Sequence, residues 1–337
     1  LRALPFVRLL LIKTSSLGDV VHVMPALSEA ASNITGLRID WVVEEAYAPV
    51  ARLHCAVEEV ISVAIRRWRR NPWRATTRRE WQGFCDQLQS AQYDLVLDAQ
   101  GLLKSAWVAF QANGPRAGLN WRTAREPLAS LFYQKHFDVP REIPAIDRNR
   151  LLVAQALGYS RKATAPDYGI KTNHPNWSSD SDASISERIF CFHGSARMEK
   201  CWPEERWVSL GQELARRGLP LTFPSGTGAE YERALRIAAA IEKKVPRPSL
   251  VEALEPTSLD PLIKAIARAK AVIGGDTGLL HLAAGLKRPG VGIFLATHPT
   301  QFGVRPDASG PPFVNLDLTM SQSVDAVLEA ALQVIGQ

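Results

Sequence analysis

The 337-residue chain has only four cysteines, Cys55, Cys85, Cys191 and Cys201, and no two of them form a C-x-x-C pair. Spread in this way they read as buried or free thiols of a reducing compartment, and neither a disulfide framework nor a zinc site is indicated. Long apolar runs are also lacking. The longest extend about five residues, as in Ala106-Trp107-Val108-Ala109-Phe110, whereas a spanning helix needs about 20, which excludes membrane insertion by such a helix. The opening Leu1-Arg2-Ala3-Leu4-Pro5-Phe6 has no apolar stretch with a small-residue cleavage site, so a cytosolic chain is expected. Several catalytic signatures are missing too: no H-E-x-x-H and no G-x-S-x-G occur, Gly226-Thr227-Gly228 lacks the third glycine of a dinucleotide fingerprint, and Gly101-Leu102-Leu103-Lys104-Ser105 lacks the earlier glycine of a P-loop. Metalloprotease, serine-hydrolase, nicotinamide and P-loop chemistry are therefore unsupported.

What is present is an ordinary globular composition, 46% apolar, with 40 Lys+Arg against 34 Asp+Glu. The length suits two domains, each able to bury its own core. The positive charge is local. Arg66 to Arg79 holds seven arginines and two tryptophans with no acid until Glu80, and without those seven the chain has 33 bases against 34 acids. A solvated loop is the ordinary fate of such a run. Trp68 and Trp73 favour a membrane interface, and arginine forks bind phosphates, so an anionic phosphorylated lipid is the expected partner. No nucleic-acid module accompanies the patch, and nucleic acid is not expected.

Short β-rich runs alternate with stretches of helical period. Val7 to Lys13, Arg38 to Val43, Glu59 to Ala64 and Tyr93 to Asp98 are strand-like, and Glu80 to Ala91 has helical spacing. This alternation specifies an α/β protein with parallel sheets. The pattern pauses in KTNHPNWSSDSDAS, which sets a linker at 171–186 between domains 1–170 and 187–337. It resumes with strand Ile189 to Phe192, helix Pro203 to Arg217, strand Leu219 to Phe223, helices Ala229 to Glu242 and Leu259 to Ala269, and strands Ala271 to Ile273 and Gly290 to Leu295. The C-terminal helix is free to pack back on the first domain. Two Rossmann-like parallel-sheet domains facing across a cleft would bind ligands beyond the carboxyl ends of their strands, so the informative residues belong to strand-to-helix loops.

Four loops carry candidate chemistry. In Lys13-Thr14-Ser15-Ser16-Leu17-Gly18-Asp19, Asp19 reads either as a helix N-cap, the commoner role, or as a general base; Pro25 implies a kinked or late-starting helix. Gly275-Asp276-Thr277-Gly278, followed by His281, reads either as a diphosphate site at a helix start or as a turn capped by Asp276. In His193-Gly194-Ser195-Ala196, leading to Lys200, the lysine reads either as the neutraliser of a leaving phosphate or as a solvated flanking residue. Glu230, after Gly226-Thr227-Gly228, reads either as a ribose ligand or as a first-turn helix acid. Asp180-Ser181-Asp182 resembles a metal-binding D-x-D but falls in the polar linker.

In chain order, KTSSLGDVVHVMPAL (13–27), WVVEE (41–45), AIRRWRR (64–70), DAQGLLKSA (98–106), WRTAREPLASLFY (121–133), KCWPEERW (200–207) and GDTGLLHLAAG (275–285) resemble the bacterial ADP-heptose:lipopolysaccharide heptosyltransferases, in the branch that adds the first heptose. The resemblance implies a GT-B glycosyltransferase that inverts the anomeric centre without metal or cofactor. Its donor would be ADP-L-glycero-β-D-manno-heptose and its acceptor the Kdo of Kdo2-lipid A. It also implies that Asp19 is the base and that Lys200, Ser195 and the Thr277-Gly278 backbone receive the departing diphosphate. Glu230 would hold the ribose and Asp276 the donor sugar, with Ala196, Thr257 and His281 completing the donor side. The acceptor side would be Thr14, Ser15, Ser16, Gly18, Gln100, Arg125, Arg66, Arg67, Arg69 and Arg70. The family carries paired threonines where this chain has Ser195-Ala196 and a methionine where Thr257 aligns, and the 242–256 stretch is longer here. The basic patch would hold the enzyme peripherally on the cytoplasmic face of the inner membrane; nothing demands more than a monomer. The competing readings are a heptosyltransferase acting on a later core heptose and a non-catalytic protein binding nucleotide and anionic lipid.

Overall fold

The computed structural model describes residues 7–161, 163–171, 183–195, 197–245 and 250–336. It divides into two compact units, Leu1–Lys171 and Thr172–Gln337. The first is built on strands β1 (Val7–Ile12), β2 (Leu37–Glu44), β3 (Val57–Val63), β4 (Leu95–Asp98), β5 (Arg116–Leu119) and β6 (Lys135–Phe137). They pair in parallel in the order β3-β2-β1-β4-β5-β6. Helix α1 (Leu17–Asn33) follows β1, α2 (Ala48–Ala51) follows β2, α3 (Ile65–Trp68) and α4 (Ala75–Gln89) follow β3, α5 (Leu103–Gln111) follows β4, and α6 (Ala145–Leu157) follows β6. The apolar run Leu9 to Ile12 is wholly buried, as a central parallel strand covered on both faces requires.

The second unit repeats the plan. Strands β7 (Ile189–Phe192), β8 (Leu221–Phe223), β9 (Val251–Ala253), β10 (Ala271–Gly275), β11 (Gly290–Ile293) and β12 (Phe313–Leu316) alternate with α7 (Glu204–Arg216), α8 (Gly228–Glu242), α9 (Leu259–Arg268), α10 (Gly278–Gly285), α11 (Pro299–Phe302) and α12 (Val324–Ile335). The sheet order is β12-β11-β10-β7-β8-β9. Read from β7, this is the order of the first unit, and both are Rossmann-like. Trp207, Leu210 and Leu214 of α7 pack with Ile237 and Ile241 of α8 and Val327 and Ala331 of α12. The C-terminal helix therefore lies in the core of its own unit, where the sequence had left it free to fold back on the first.

Three expectations change. Helix α1 starts at Leu17 with Ser16 as N-cap and runs through Pro25, so Asp19 is the third helical residue and not the cap. The proline costs about 3 kcal/mol in a helix interior, but Val20, Val21, Val23, Met24 and Leu27 are wholly buried by the same helix, at roughly 1.5–3 kcal/mol for each large side chain. Packing wins. The arginine run is not a solvated loop: it forms α3, a turn and the start of α4, which begins at Ala75 rather than Glu80. Trp68 is no interface residue, because its ring is buried edge-on to Trp81 at 5.8 Å and Phe84 at 6.0 Å. Trp73 is 81% exposed. Most of the expected linker, with Asp180 and Asp182, lies outside the described residues; 183–187 form a short 3-10 helix. Among the described residues no helix is long and apolar enough to cross a membrane.

Candidate functional site

In both sheets the strand order reverses once, between β1 and β4 and between β7 and β10, and open α/β sheets bind ligands at the carboxyl ends of such strands. In the first unit, the loop leaving β1 meets the loop leaving β4. Lys13 is buried, and its Nζ donates to Ala99 O at 2.8 Å. Burial pushes the Lys13 ammonium below its usual range, and the Asp19 charge opposes this. Asp19 Oδ2 accepts from Ser16 N at 2.9 Å and Ser16 Oγ at 3.2 Å. Its Oδ1 lies 3.8 Å from Lys13 Nζ, on a side chain 32% exposed. One carboxylate oxygen is thus fixed by the loop, and the other lies beside the Lys13 ammonium on a partly exposed side chain.

The same crevice gathers cations. Lys104 Nζ donates to Ser15 Oγ at 3.3 Å, and Ser15 N to Gln100 Oε1 at 3.3 Å. Arg125 and Arg148 act electrostatically on Lys13, and Arg148, held below its usual range by its own burial, is attracted by Asp19. Thr14 is buried, its Oγ1 without a partner among the described residues; Gly18 lies in the first turn of α1. Asp98, at the end of β4, is an internal brace. Its Oδ1 accepts from Gln100 N at 2.7 Å and Gly101 N at 3.0 Å, and its Oδ2 from Ser105 Oγ at 2.7 Å and Tyr133 Oη at 2.6 Å. Burial raises its pKa and these four donors oppose the rise.

Of the four arginines between 66 and 70 expected on the acceptor side with Arg125, two approach this group. Arg66 donates its backbone N–H to Glu44 Oε1 at 2.9 Å and lies over the Tyr47 ring at 5.1 Å. With Arg69 it acts on Lys104, whose ammonium is lowered first by burial. Arg67 is a strut, donating to Glu45 at 3.1 Å through both Nε and Nη2 and to Glu80 Oε2 at 2.7 Å. Arg70 is exposed, and among the described residues no side-chain contact ties it to the crevice.

In the second unit, Lys200 Nζ contacts Asp276 Oδ2 at 2.6 Å, with side chains 16% and 11% exposed. The same oxygen accepts from Thr297 Oγ1 at 2.6 Å, from the loop after β11. Lys200 is no solvated flanking residue, and Asp276 is no cap: Thr277 is the N-cap of α10, extended and with no side-chain cap bond. Gly278 opens the helix, and the first N–H groups of any helix lack partners within it, the feature by which helix starts hold anions. A Cβ on Gly275 would lie 2.9 Å from Lys200 O, so the two loops touch only because that residue is glycine. Glu230, in the first turn of α8, accepts from Gly226 N at 2.7 Å, and a Cβ on Gly194 would lie 2.7 Å from its Oε1. Ser195 is half-buried beside this contact, and Ala196 lies outside the described residues. His281 is buried one turn into α10. His193 is buried, its pKa pushed down to about 4 by burial. Thr257 is exposed after β9, and among the described residues nothing joins it to the group. Among the described residues no cluster of three or more His, Cys, Asp or Glu is placed to hold a metal ion.

This geometry has relatives. The family model of glycosyltransferase family 9 (heptosyltransferase) matches residues 81–322. The chain belongs to glycosyltransferase family 9. This glycosyltransferase is 44% identical over 293 residues to lipopolysaccharide heptosyltransferase 1 of Pseudomonas aeruginosa, covering 87% of this chain and 79% of that one. Its fold matches the E. coli heptosyltransferase WaaC with ADP at TM-score 0.86 and 38% identity, over 97% and 99% of the two chains. It matches the same enzyme with ADP-2-deoxy-2-fluoro heptose at TM-score 0.81 over the same shares.

Lys13, Lys104, Arg148 and Thr297 were not singled out in the sequence of this family 9 enzyme. A lysine closing an apolar strand was a legible signal for Lys13, since buried ammonium groups need partners. Lys104 and Arg148 lie on helices, and Thr297 in a loop, with nothing local to mark them.

Proposed function

We propose that this chain transfers L-glycero-D-manno-heptose from ADP-heptose to a Kdo hydroxyl of Kdo2-lipid A, with inversion and without metal, in lipopolysaccharide inner-core assembly on the cytoplasmic face of the inner membrane. The observation that carries it is Asp19, whose Oδ2 is fixed by Ser16 while Oδ1 is presented beside Lys13. Asp19 takes the hydroxyl proton as that oxygen bonds to the anomeric carbon, and the bond from that carbon to the diphosphate breaks, releasing ADP. Lys104, Arg125, Arg148, Arg66 and Arg69 supply the positive charge that an acceptor rich in carboxylate and phosphate requires.

On the donor side, Lys200 and the N–H groups opening α10 receive the charge that builds on ADP, the work a metal ion does elsewhere. Asp276, held by Lys200 and Thr297, orients the sugar, and Glu230 takes the ribose diol. The likeness to WaaC with ADP and with a fluorinated ADP-heptose supports this division.

The test is ADP release from ADP-heptose with and without Kdo2-lipid A, in excess EDTA, for wild type and Asp19→Ala. Acceptor-dependent release that survives EDTA and is lost in Asp19→Ala, with ADP affinity retained, is the expected result. No release from folded wild-type protein refutes the assignment.

A further inference from the structure

Beside the Asp19 crevice, the first unit carries an apolar surface that its own fold leaves bare. Leu103, Trp107 and Phe110 recur at i, i+4 and i+7 on α5 and are 41%, 49% and 50% exposed, while Ser105, Ala106, Val108 and Ala109 between them are buried. Helix α5 is thus apolar on its outer face as well as its inner one, unlike a surface helix with one buried stripe. Beside it, the short 3-10 helix Pro127–Phe132 packs through Ala129 and neighbouring Tyr133 onto Ala106. That packing leaves Leu128 and Leu131 outward, 50% and 73% exposed. Trp107 stacks on Phe110 at 5.9 Å, and both meet Phe132 edge-on, at 6.4 and 6.1 Å. These side chains form one patch, not the scattered apolar residues that any surface shows.

Its border is mainly cationic, with one exposed carboxylate, Glu126, which accepts from Leu103 N at 2.6 Å. The Arg116 guanidinium lies 5.1 Å from the Phe110 ring centroid, and Lys104, next to Leu103 in the chain, is within electrostatic reach of Arg66 and Arg69. Aromatic and leucine side chains rimmed by arginine and lysine match a boundary where acyl chains lie beneath anionic headgroups. A second copy fits less well, because a two-fold contact would set the arginines of one face against those of the other.

We propose that this face docks on an anionic phospholipid bilayer, with Trp107, Phe110 and Leu131 entering the headgroup boundary and Arg66, Arg69 and Arg116 meeting lipid phosphates. Helix α5 starts directly after the β4 loop of the Asp19 crevice, so docking holds that crevice at the bilayer surface. The purpose of docking rests on the lipid-acceptor reading above; the docking itself does not.

The test is co-sedimentation of the full chain with phosphatidylethanolamine–phosphatidylglycerol vesicles and with neutral phosphatidylcholine vesicles, for wild type and the triple variant Trp107→Ser, Phe110→Ser, Leu131→Ser. Wild type binds the anionic vesicles, and the triple variant binds them at least about tenfold more weakly. Its melting temperature, ADP affinity and turnover on a fully deacylated acceptor are unchanged, while turnover on the vesicle-embedded acceptor falls. Equal vesicle binding by the two proteins, or no binding by wild type, overturns the proposal. So does a wild-type dimer that the triple variant reduces to monomer, which assigns the face to self-association. If no acceptor supports turnover yet vesicle binding still depends on the three side chains, the functional reading fails and the docking surface stands.

Discussion

Replacing Lys200 with methionine removes one partner of a largely buried ion pair. The contact is 2.6 Å long, with Lys200 and Asp276 side chains 16% and 11% exposed. Breaking such a pair from one side costs about 3–5 kcal/mol when the remaining charge is stranded. Asp276 is not fully stranded, because Thr297 Oγ1 stays at 2.6 Å and some solvent reaches the site, so about 2 kcal/mol of stability is the expected loss. Adding Asp276→Asn removes the stranded charge and restores most of it. Nucleotide affinity follows a different course. A charge-assisted bond to phosphate contributes about 1.5–3 kcal/mol, so Lys200→Met weakens ADP binding roughly 10- to 100-fold, and Asp276→Asn does not rescue it. Urea unfolding gives the first quantity and titration calorimetry with ADP the second. If Lys200→Met keeps its ADP affinity within about twofold while stability falls, Lys200 is a structural strut and the donor-side assignment is wrong.

A methyl group at Gly194 pushes the Glu230 carboxylate aside, since the Cβ would meet Oε1 at 2.7 Å. Gly194→Ala therefore weakens ADP binding severalfold in calorimetry with little change in melting temperature, and an unchanged affinity removes Glu230 from the ribose. Tyr133→Phe deletes the 2.6 Å donor to Asp98, leaving a buried carboxylate one bond short; the urea midpoint falls by the equivalent of about 1.5–3 kcal/mol. Acid weakens the fold through buried histidines. Burial pushes His22 down to about 3 and His54 down to about 4, so the unfolded chain binds protons that the native chain refuses, and stability is lost as pH falls below the unfolded value near 6.5. The slope approaches about 1.4 kcal/mol per pH unit for each histidine. Urea midpoints from pH 7.5 to 5 show it, and His54→Asn flattens the curve; equal slopes in the two proteins refute the assignment to His54.

Much of the fold was legible because it rests on local pattern. The run Val7 to Lys13 reads as a strand from its composition and is one over Val7–Ile12, and α7 and α8 read from their period to within one or two residues of their observed ends. Short strands such as Lys135–Phe137 and Val251–Ala253 were not legible, since three residues hold no period and their pairing comes from the sheet. Pro25 misled for the opposite reason: a strong local rule was outweighed by the burial around it. The arginine run shows the limit most directly. Its charge is plain in the sequence, but the partners that separate Arg67 from Arg66 are Glu45, Glu80 and Glu44, and only the fold says which glutamate meets which arginine.

The two crevices make the same point about chemistry. Each sets a lysine and an aspartate at the reversal of an identical strand order, and residue type alone does not distinguish them. Distance and exposure do. Lys200 and Asp276 touch at 2.6 Å with little exposure and neutralise each other, so a diphosphate there must compete with Asp276 for the ammonium. That competition favours a ligand carrying more negative charge than one carboxylate, as ADP does in the proposed reaction. Lys13 and Asp19 stand 3.8 Å apart, Asp19 being 32% exposed, and the lysine's short bond goes instead to the Ala99 carbonyl. Asp19 Oδ1 is left, among the described residues, with no contact shorter than that with Lys13, the position that the proposed base requires. In the proposed reaction one topology thus serves both to receive the leaving charge and to accept the proton, the two lysine–carboxylate contacts differing at 2.6 and 3.8 Å.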